Sequence, residues 1–290
     1  MSLNSVNTNM GAMIALESLN KTNADLATTQ KRVSTGYRVA DSTDDGAAYA
    51  VAQSVRSTVG ALTTANQQLG NVQGLLATTQ SGLNDISNTM ASMRDVLVSL
   101  SDANVSGNQR TQYVNQYKSL LANVKSFIQD AGYNGKTLIG NIAGSSGTWT
   151  NVNTIRNEAG ATYGLLSWSG SALYNAITFT AILGHAGGTM AASVAALLTT
   201  GTTGGTFIVQ QNSVGGELNT IGANVNYVQN QITYNNDRID ALNTGLGSLV
   251  DADLAKESAN LQALQIRQQL GTQALSLANQ APQTLLSLFK

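Results

Sequence analysis

The 290-residue sequence contains no cysteine, one proline and one histidine, and 11% of its residues are charged. Without cysteine the chain has no disulfide bond, no thiolate nucleophile and no Cys-ligated metal site. Because an interior proline removes a helical hydrogen bond and clashes with the preceding turn, the scarcity of proline suits long uninterrupted helices. The formal net charge of -1 argues against a nucleic-acid partner, since phosphate binding depends on clustered lysine and arginine.

The sequence also lacks the pattern of a secretory signal and of a membrane anchor. The first 21 residues have no basic n-region, and their apolar positions are spaced as in a helix. The best candidate for a membrane span, residues 181–198, includes His185 and three glycines and is too weakly apolar to cross a bilayer. We expect no membrane insertion, and a chain that acts outside the cell would leave by a route without a cleaved signal.

Residues suited to catalysis are few. His185 is the only histidine, so the chain holds no histidine pair and no Ser-His-Asp triad, and we interpret His185 as a surface or packing residue. Gly135-Lys136-Thr137 resembles the end of a phosphate-binding loop, but Asp130 stands where that loop requires its first glycine.

Two acidic pairs are better explained by helix capping than by a hard-cation site. Asp44 and Asp45 precede one predicted helix, and Asp251 and Asp253 precede another. We therefore expect no enzyme activity and no cofactor.

Two long heptad repeats dominate the pattern. The first is formed by Leu62, Leu69, Leu76, Leu83, Met90 and Leu97, with an offset row of Ala65, Val72, Thr79, Ile86, Met93 and Leu100. The second is formed by Leu218, Val225, Ile232, Ile239 and Leu246. Its offset row consists of Ile221, Val228, Leu242 and Leu249, and Asn235 is the one polar residue in that row. Apolar residues spaced three and four apart over four or more heptads predict coiled-coil helices. Each narrow stripe needs a long partner, which predicts a rod in which both chain ends pack together.

Glycine and asparagine residues and changes in composition indicate where the other elements begin and end. A first helix over residues 3–33 is expected to end at Gly36, and the second to run to about Leu100. Asn134-Gly135 predicts a tight turn after a third helix. Residues 145–215, rich in Gly, Ser, Thr and Ala, indicate a small β-rich domain with a short helix near 190–198. Helix returns near Leu218, and a last helix reaches almost to the end.

The fold class predicted is thus mainly α. It is a long antiparallel coiled-coil helical bundle built from both chain ends, with a small β-rich central outer domain.

The terminal helices carry apolar stripes that they cannot bury alone, because two helices of about 30 residues enclose little core. The stripes comprise Val6, Leu16, Leu19, Leu26 and Val33 at one end and Leu261, Leu264, Leu270, Leu277, Leu285 and Leu288 at the other. Burial of these stripes requires copies of the same chain, which predicts self-assembly.

Several runs in both ends resemble one known family. They are Leu3–Asn9, Arg32-Val-Ser-Thr-Gly36, Asp44-Asp-Gly-Ala-Ala48, the run 249–258 (LVDADLAKES), Gln268-Gln-Leu-Gly271 and the run 278–289 (ANQAPQTLLSLF). They resemble bacterial flagellin, and most of all the short alphaproteobacterial flagellins. The resemblance covers about the first 140 and the last 75 residues.

The resemblance implies a structural subunit that polymerises into the extracellular flagellar filament used for swimming. It further implies export by the flagellar type III apparatus with an export chaperone, and contact with cap and hook-associated proteins. Residues 1–40 with 252–290 would form the inner filament core, 41–144 with 216–251 the coiled-coil rod, and 145–215 the variable outer surface.

Two alternatives stay open. A hook–filament junction protein shares the export route and the helical ends but would stop at a ring, and an unrelated coiled-coil adhesin or an enzyme with a novel site is the third reading. The serines and threonines of 145–215 would either accept O-linked glycans or form a bare hydrophilic surface.

A departure from the family concerns the segment that the vertebrate flagellin receptor contacts. The aligned stretch starts at Met90 and keeps Arg94 and Asp95, but Ser92 replaces a second arginine. We predict weak or absent receptor activation by purified monomer, because the charge-assisted hydrogen bonds of that arginine are lost. A receptor reporter assay against a recognised flagellin measures this, and activation at ordinary potency would contradict it.

Overall fold

Long helices account for most of the computed structural model, which describes residues 8–179, 189–199 and 207–287. The helices are α1 (Met10–Thr35), α2 (Gly46–Ser101), α3 (Gly107–Asp130), α4 (Gly170–Ile177), α5 (Thr189–Leu198), α6 (Phe207–Val250) and α7 (Leu254–Ser287). The strands are β1 (Gly132–Tyr133), β2 (Lys136–Thr137), β3 (Thr148–Trp149), β4 (Val152–Ile155) and β5 (Thr162–Leu165). This architecture confirms the predicted fold class. Among the described helices none is long and apolar enough to cross a membrane.

The helix ends follow the predicted capping residues. Gly36 adopts the left-handed conformation (φ 75°), and its N–H donates to the Arg32 carbonyl at 2.9 Å. The Asp45 carboxylate accepts from the Ala48 N–H at the start of α2. Asp253 accepts from the N–H groups of residues 255 and 256 at the start of α7.

The turn between α2 and α3 is closed by one buried arginine. Arg110 donates to the Leu100 carbonyl in the last turn of α2 and to the carbonyls of Asp102 and Val105 in the turn itself. The side chain of Ser106 and that of Gln109 form a capping box that starts α3.

The strands form two small sheets. β1 and β2 pair antiparallel through a turn at Asn134 (φ 48°) and Gly135 (φ 74°), as the Asn-Gly pair predicts, and β3 pairs parallel to β2. β4 and β5 form a separate antiparallel hairpin in which Val152 lies opposite Leu165.

Helix α6 begins earlier than the sequence predicted. It starts at Phe207 instead of near Leu218 and runs through Gly215 and Gly216. Two helical glycines cost roughly 1 kcal/mol each. Phe207 and Val214 are fully buried and continue the heptad row of Ile221, and this burial offsets the cost.

The chain divides into two compact units, Met1–Val59 with Asp240–Lys290, and Gly60–Ile239. The second unit holds the large apolar core. Both predicted rows of α2, from Leu62 to Leu100, are buried there. On α6 the offset row is the buried one and contains Val214, Ile221, Val228 and Asn235. Val225, Ile232 and Ile239 of the other predicted row are half-buried.

The β4–β5 hairpin lies along α6 within this unit. The rings of Tyr163 and Tyr227 stack with centroids 4.0 Å apart, and the Tyr163 hydroxyl donates to Asn224 Oδ1 at 2.7 Å. Farther along α6, Arg238 Nη1 donates to Glu158 Oε2 at 2.7 Å. These contacts attach the middle of the chain to the helix that follows it.

The first unit is held by α1 against α7 and by the two segments that connect these helices to α2 and α6. The Arg38 N–H donates to the Val250 carbonyl at 2.7 Å, and the Ala252 N–H donates to the Gly36 carbonyl at 2.9 Å. Val250 is buried in a small cluster with Val39, Ala48 and Ala52, against which Leu246 of the predicted seam is half-buried. The connectors are therefore joined to each other through their backbones.

Replacement of Leu83 by Ala is predicted to lower the free energy of unfolding by about 2–5 kcal/mol, because the side chain is fully buried in the apolar core. Denaturant unfolding of the monomer, followed by helical circular dichroism, measures the change. Asn84→Ala, an exposed neighbour, serves as the control and should leave stability nearly unchanged. A neutral Leu83→Ala would show that this row does not stabilise the core.

Candidate assembly surface

Polar contacts hold α1 and α7 together along their antiparallel length. Three side-chain hydrogen bonds span the pair at successive levels: Asn9 Nδ2 to Ala278 O (2.7 Å), Gln268 Nε2 to Asn23 Oδ1 (2.8 Å) and Arg32 Nη1 to Glu257 Oε1 (3.2 Å). Asn9 is also the N-cap of α1, since its Oδ1 accepts from the Ala12 N–H.

Glycines lie at two contacts between the helices. A Cβ atom added to Gly271 would lie 3.1 Å from Leu19 Cδ1, so the Leu19 side chain would have to shift by a few tenths of an ångström. A Cβ atom added to Gly11, at the far end of the pair, would make an ordinary contact with the methyl group of Ala278 at 3.9 Å.

The inner side of this pair carries both apolar and polar side chains. Leu19 and Leu26 of α1 and Leu264 of α7 are half-buried there. Within α1, all of whose residues are described, Thr29 alone is buried. On α7, Glu257 is buried and receives the Arg32 hydrogen bond. Among the residues of the pair whose burial is described, no apolar side chain is fully buried.

The outer sides of the two helices carry exposed apolar side chains. Met13 and Ile14 of α1 are 59% and 62% exposed, and Ile266, Leu270 and Leu277 of α7 are 58%, 58% and 71% exposed. The three residues on α7 are spaced at i, i+4 and i+11, which places them on one helical stripe. Contiguous exposed apolar stripes on a soluble domain mark an interaction surface.

The structure divides the predicted polymerisation residues into two groups. Leu19, Leu26, Val33, Leu261 and Leu264 are half-buried, whereas Leu16, Leu270 and Leu277 are exposed. Val6 and Leu288 lie outside the described residues, and the side chain of Leu285 is likewise not described. The role of the set in polymerisation stays a prediction. Ile266 also belongs to the exposed stripe, although it is not among the predicted polymerisation residues.

A charged cluster orders the connector that follows α1. Lys31 Nζ lies 2.6 Å from Asp41 Oδ2 and 2.9 Å from Asp44 Oδ2. Asp44 Oδ2 also accepts from the N–H groups of Ala40 and Asp41. The hydrogen bond from Lys31 lowers the pKa of both carboxyl groups, and hydrogen bonds from Thr43 lower that of Asp41 further. The same pairing raises the pKa of Lys31.

Three further features of the sequence are its candidate metal ligands, His185 and the receptor-like segment of α2. In the described ranges no group of three or more His, Cys, Asp or Glu residues is arranged to hold a metal ion. His185 lies outside those ranges. In the receptor-like segment Met90 is buried in the core of the second unit, while Ser92, Arg94 and Asp95 are exposed on α2.

Comparison with known families matches both ends of the chain. The family model for the bacterial flagellin N-terminal helical region matches residues 6–143, and that for the bacterial flagellin C-terminal helical region matches residues 210–289. Flagellin FljM of Caulobacter vibrioides is 32% identical over 290 residues, with 100% of both chains covered. The chain belongs to the bacterial flagellin family.

Other relatives agree with this membership. A flagellin of Brucella melitensis is 32% identical to this flagellin, and the match covers 99% of each chain. A solved flagellar hook-associated protein from Vibrio parahaemolyticus matches with a TM-score of 0.55 at 12% identity, over 72% of this chain and 100% of that one, which shows a similar fold. Since its relatives are flagellins over their full length, this flagellin is a structural subunit of the extracellular flagellar filament.

The Lys31 cluster predicts how the connector responds to pH. The Asp41 and Asp44 carboxyl groups have lowered pKa values in the folded chain, so their contribution to stability is present above the unfolded pKa of about 4 and is lost as pH falls. In Lys31→Met both carboxyl groups should titrate at higher pH than in the unmodified chain. Carboxyl-carbon NMR titration measures the change, with Lys21→Met as the control. Unchanged titration in Lys31→Met would contradict the assignment.

Proposed function

We propose that this flagellin polymerises through the outer faces of α1 and α7. The observation that supports this is the exposure of Ile266, Leu270 and Leu277 on one stripe of α7, while no apolar side chain of the pair is fully buried among the residues whose burial is described. These exposed apolar side chains are removed from water only when further chains cover them. Identical copies supply that cover in a homopolymer.

The proposal also assigns each part of the chain a distance from the filament axis. Residues 1–40 with 252–290 form the inner core, 41–144 with 216–251 form the coiled-coil rod, and 145–215 face outward. The exposed side chains of Ile266, Leu270 and Leu277 support an inner position, because the cores of interfaces are more apolar than the rest of the surface. Serines and threonines of 145–215 are candidates for O-linked glycans on the outer surface.

The partners proposed for this chain come from its family membership. They are identical subunits, the flagellar cap and hook-associated proteins, and an export chaperone with the type III export apparatus. The chain acts without catalysis and without a cofactor. Activation of the vertebrate flagellin receptor is weak or absent, because Ser92 is the exposed residue where that receptor would meet an arginine.

A double substitution on the exposed stripe tests the assembly surface. In Leu270→Ser with Leu277→Ser, the critical concentration for polymerisation should rise about tenfold or more, because burial of each leucine contributes about 1.5 kcal/mol or more. Both side chains are largely exposed, so the monomer should keep its helical content. Light scattering and electron microscopy of seeded assembly measure the effect.

The matched control is Gln265→Ser with Thr272→Ser, which changes two exposed residues of α7 away from the stripe. An unchanged critical concentration in the leucine variant would refute the proposed surface. Assembly of the unmodified chain that ends at rings would instead support the junction-protein alternative.

A further inference from the structure

A polar side chain interrupts the buried heptad row of α6. Asn235 is fully buried, and the preceding positions of the row, from Phe207 to Val228, are apolar. Asn235 Nδ2 donates to Asn66 Oδ1 on α2 at 2.8 Å and to the Arg156 carbonyl at 3.0 Å. Its Oδ1 accepts from Gln231 Nε2 at 3.1 Å. One amide thus joins α2, α6 and the end of the β4–β5 hairpin.

The apolar part of the α2–α6 contact does not by itself define how far one helix is shifted along the other. On α2 the buried row repeats leucine at 62, 69, 76 and 83, and on α6 the row alternates Val214, Ile221 and Val228. A slide of seven residues, about 10 Å, would return apolar side chains of similar size to each other. Shape alone therefore distinguishes poorly between heptad registers.

The polar rim of the contact repeats in the same way. Asn66 Nδ2 donates to Asn236 Oδ1 at 2.7 Å, and one heptad along, Gln73 Nε2 donates to Gln229 Oε1 at 2.9 Å. A slide of one heptad would place Gln73 beside Asn236, which is again an amide pair. These exposed pairs confirm the antiparallel alignment but do not select one heptad.

We propose that Asn235 determines the axial register of α6 against α2 and holds the β4–β5 hairpin at the same level. A slide in one direction replaces Asn66 by Val59 and leaves the buried amide without that partner, and a slide in the other direction replaces Asn66 by the longer side chain of Gln73. A buried polar group that loses a partner keeps its desolvation cost, whereas an apolar residue at the same position slides without this penalty. A single polar residue in an apolar seam is a known means of fixing alignment at some expense of stability.

Cysteine crosslinking in the full-length chain tests this proposal, because the sequence contains no cysteine of its own. Gln73→Cys with Gln229→Cys reports the observed register. Gln73→Cys with Asn236→Cys and Gln73→Cys with Gly222→Cys report slides of one heptad in the two directions, and Asn66 is unchanged in all three pairs. A thiol crosslinker shorter than the ~10 Å heptad shift separates these states. The intramolecular product is measured on dilute monomer by gel mobility and peptide mass.

With Asn235 present, the observed-register pair should crosslink in large excess over either shifted pair. In the Asn235→Leu background the shifted product should rise about tenfold or more relative to the observed one, since an unpaired buried amide no longer disfavours it. Val228→Leu, an apolar change in the same row, should leave the ratio as it is. The midpoint of unfolding of Asn235→Leu should equal or exceed that of the unmodified chain.

Two results would overturn the proposal. An unchanged crosslink ratio in Asn235→Leu would show that the hairpin contacts of Tyr163 and Glu158 determine the register without the amide. Failure of Asn235→Leu to fold would show that the amide is needed for stability instead of alignment. Because the readout uses dilute monomer, neither result depends on whether the chain polymerises.

Discussion

The seven-residue apolar repeat shared by α2 and α6 is the constraint on which the second unit depends. A stripe this narrow leaves each helix unstable alone, so α3 and the small sheets must complete the enclosure. Tyr117, Val124 and Ile128 of α3 are fully buried in the same core, and the Tyr117 hydroxyl donates to the Ile177 carbonyl at the end of α4. The short elements of the middle are therefore required by the long ones, because they remove the remaining apolar surface from water.

The first unit buries less apolar surface than the second. Its two long terminal helices contact each other through half-buried leucines, side-chain hydrogen bonds and an ion pair, and they leave Ile266, Leu270 and Leu277 exposed. Such a pair gains less from hydrophobic burial within one molecule than the second unit does. The connectors, joined through the backbones of Arg38 and Val250, hold one end of the pair together.

Sequence patterns with local causes predicted the structure well. Gly36, Asn134-Gly135, Asp45 and Asp253 act within a few residues of themselves, so their roles are readable without knowledge of the fold. The start of α6 was mispredicted because Gly215 and Gly216 look like a turn until the burial of Phe207 is known. Which leucines of α7 face inward was not readable either. Leu264 and Leu270 are both apolar and helical, and only the position of α1 separates them.

Pairing of the two chain ends also orders events in time. Asn9 bonds to Ala278, which lies 269 positions later in the sequence, so this contact forms only when nearly the whole chain is available. The entropic cost of closing so long a loop must be met before the contact contributes any stability. Docking of the last helix onto the first is therefore expected to be a late step in the folding of the first unit.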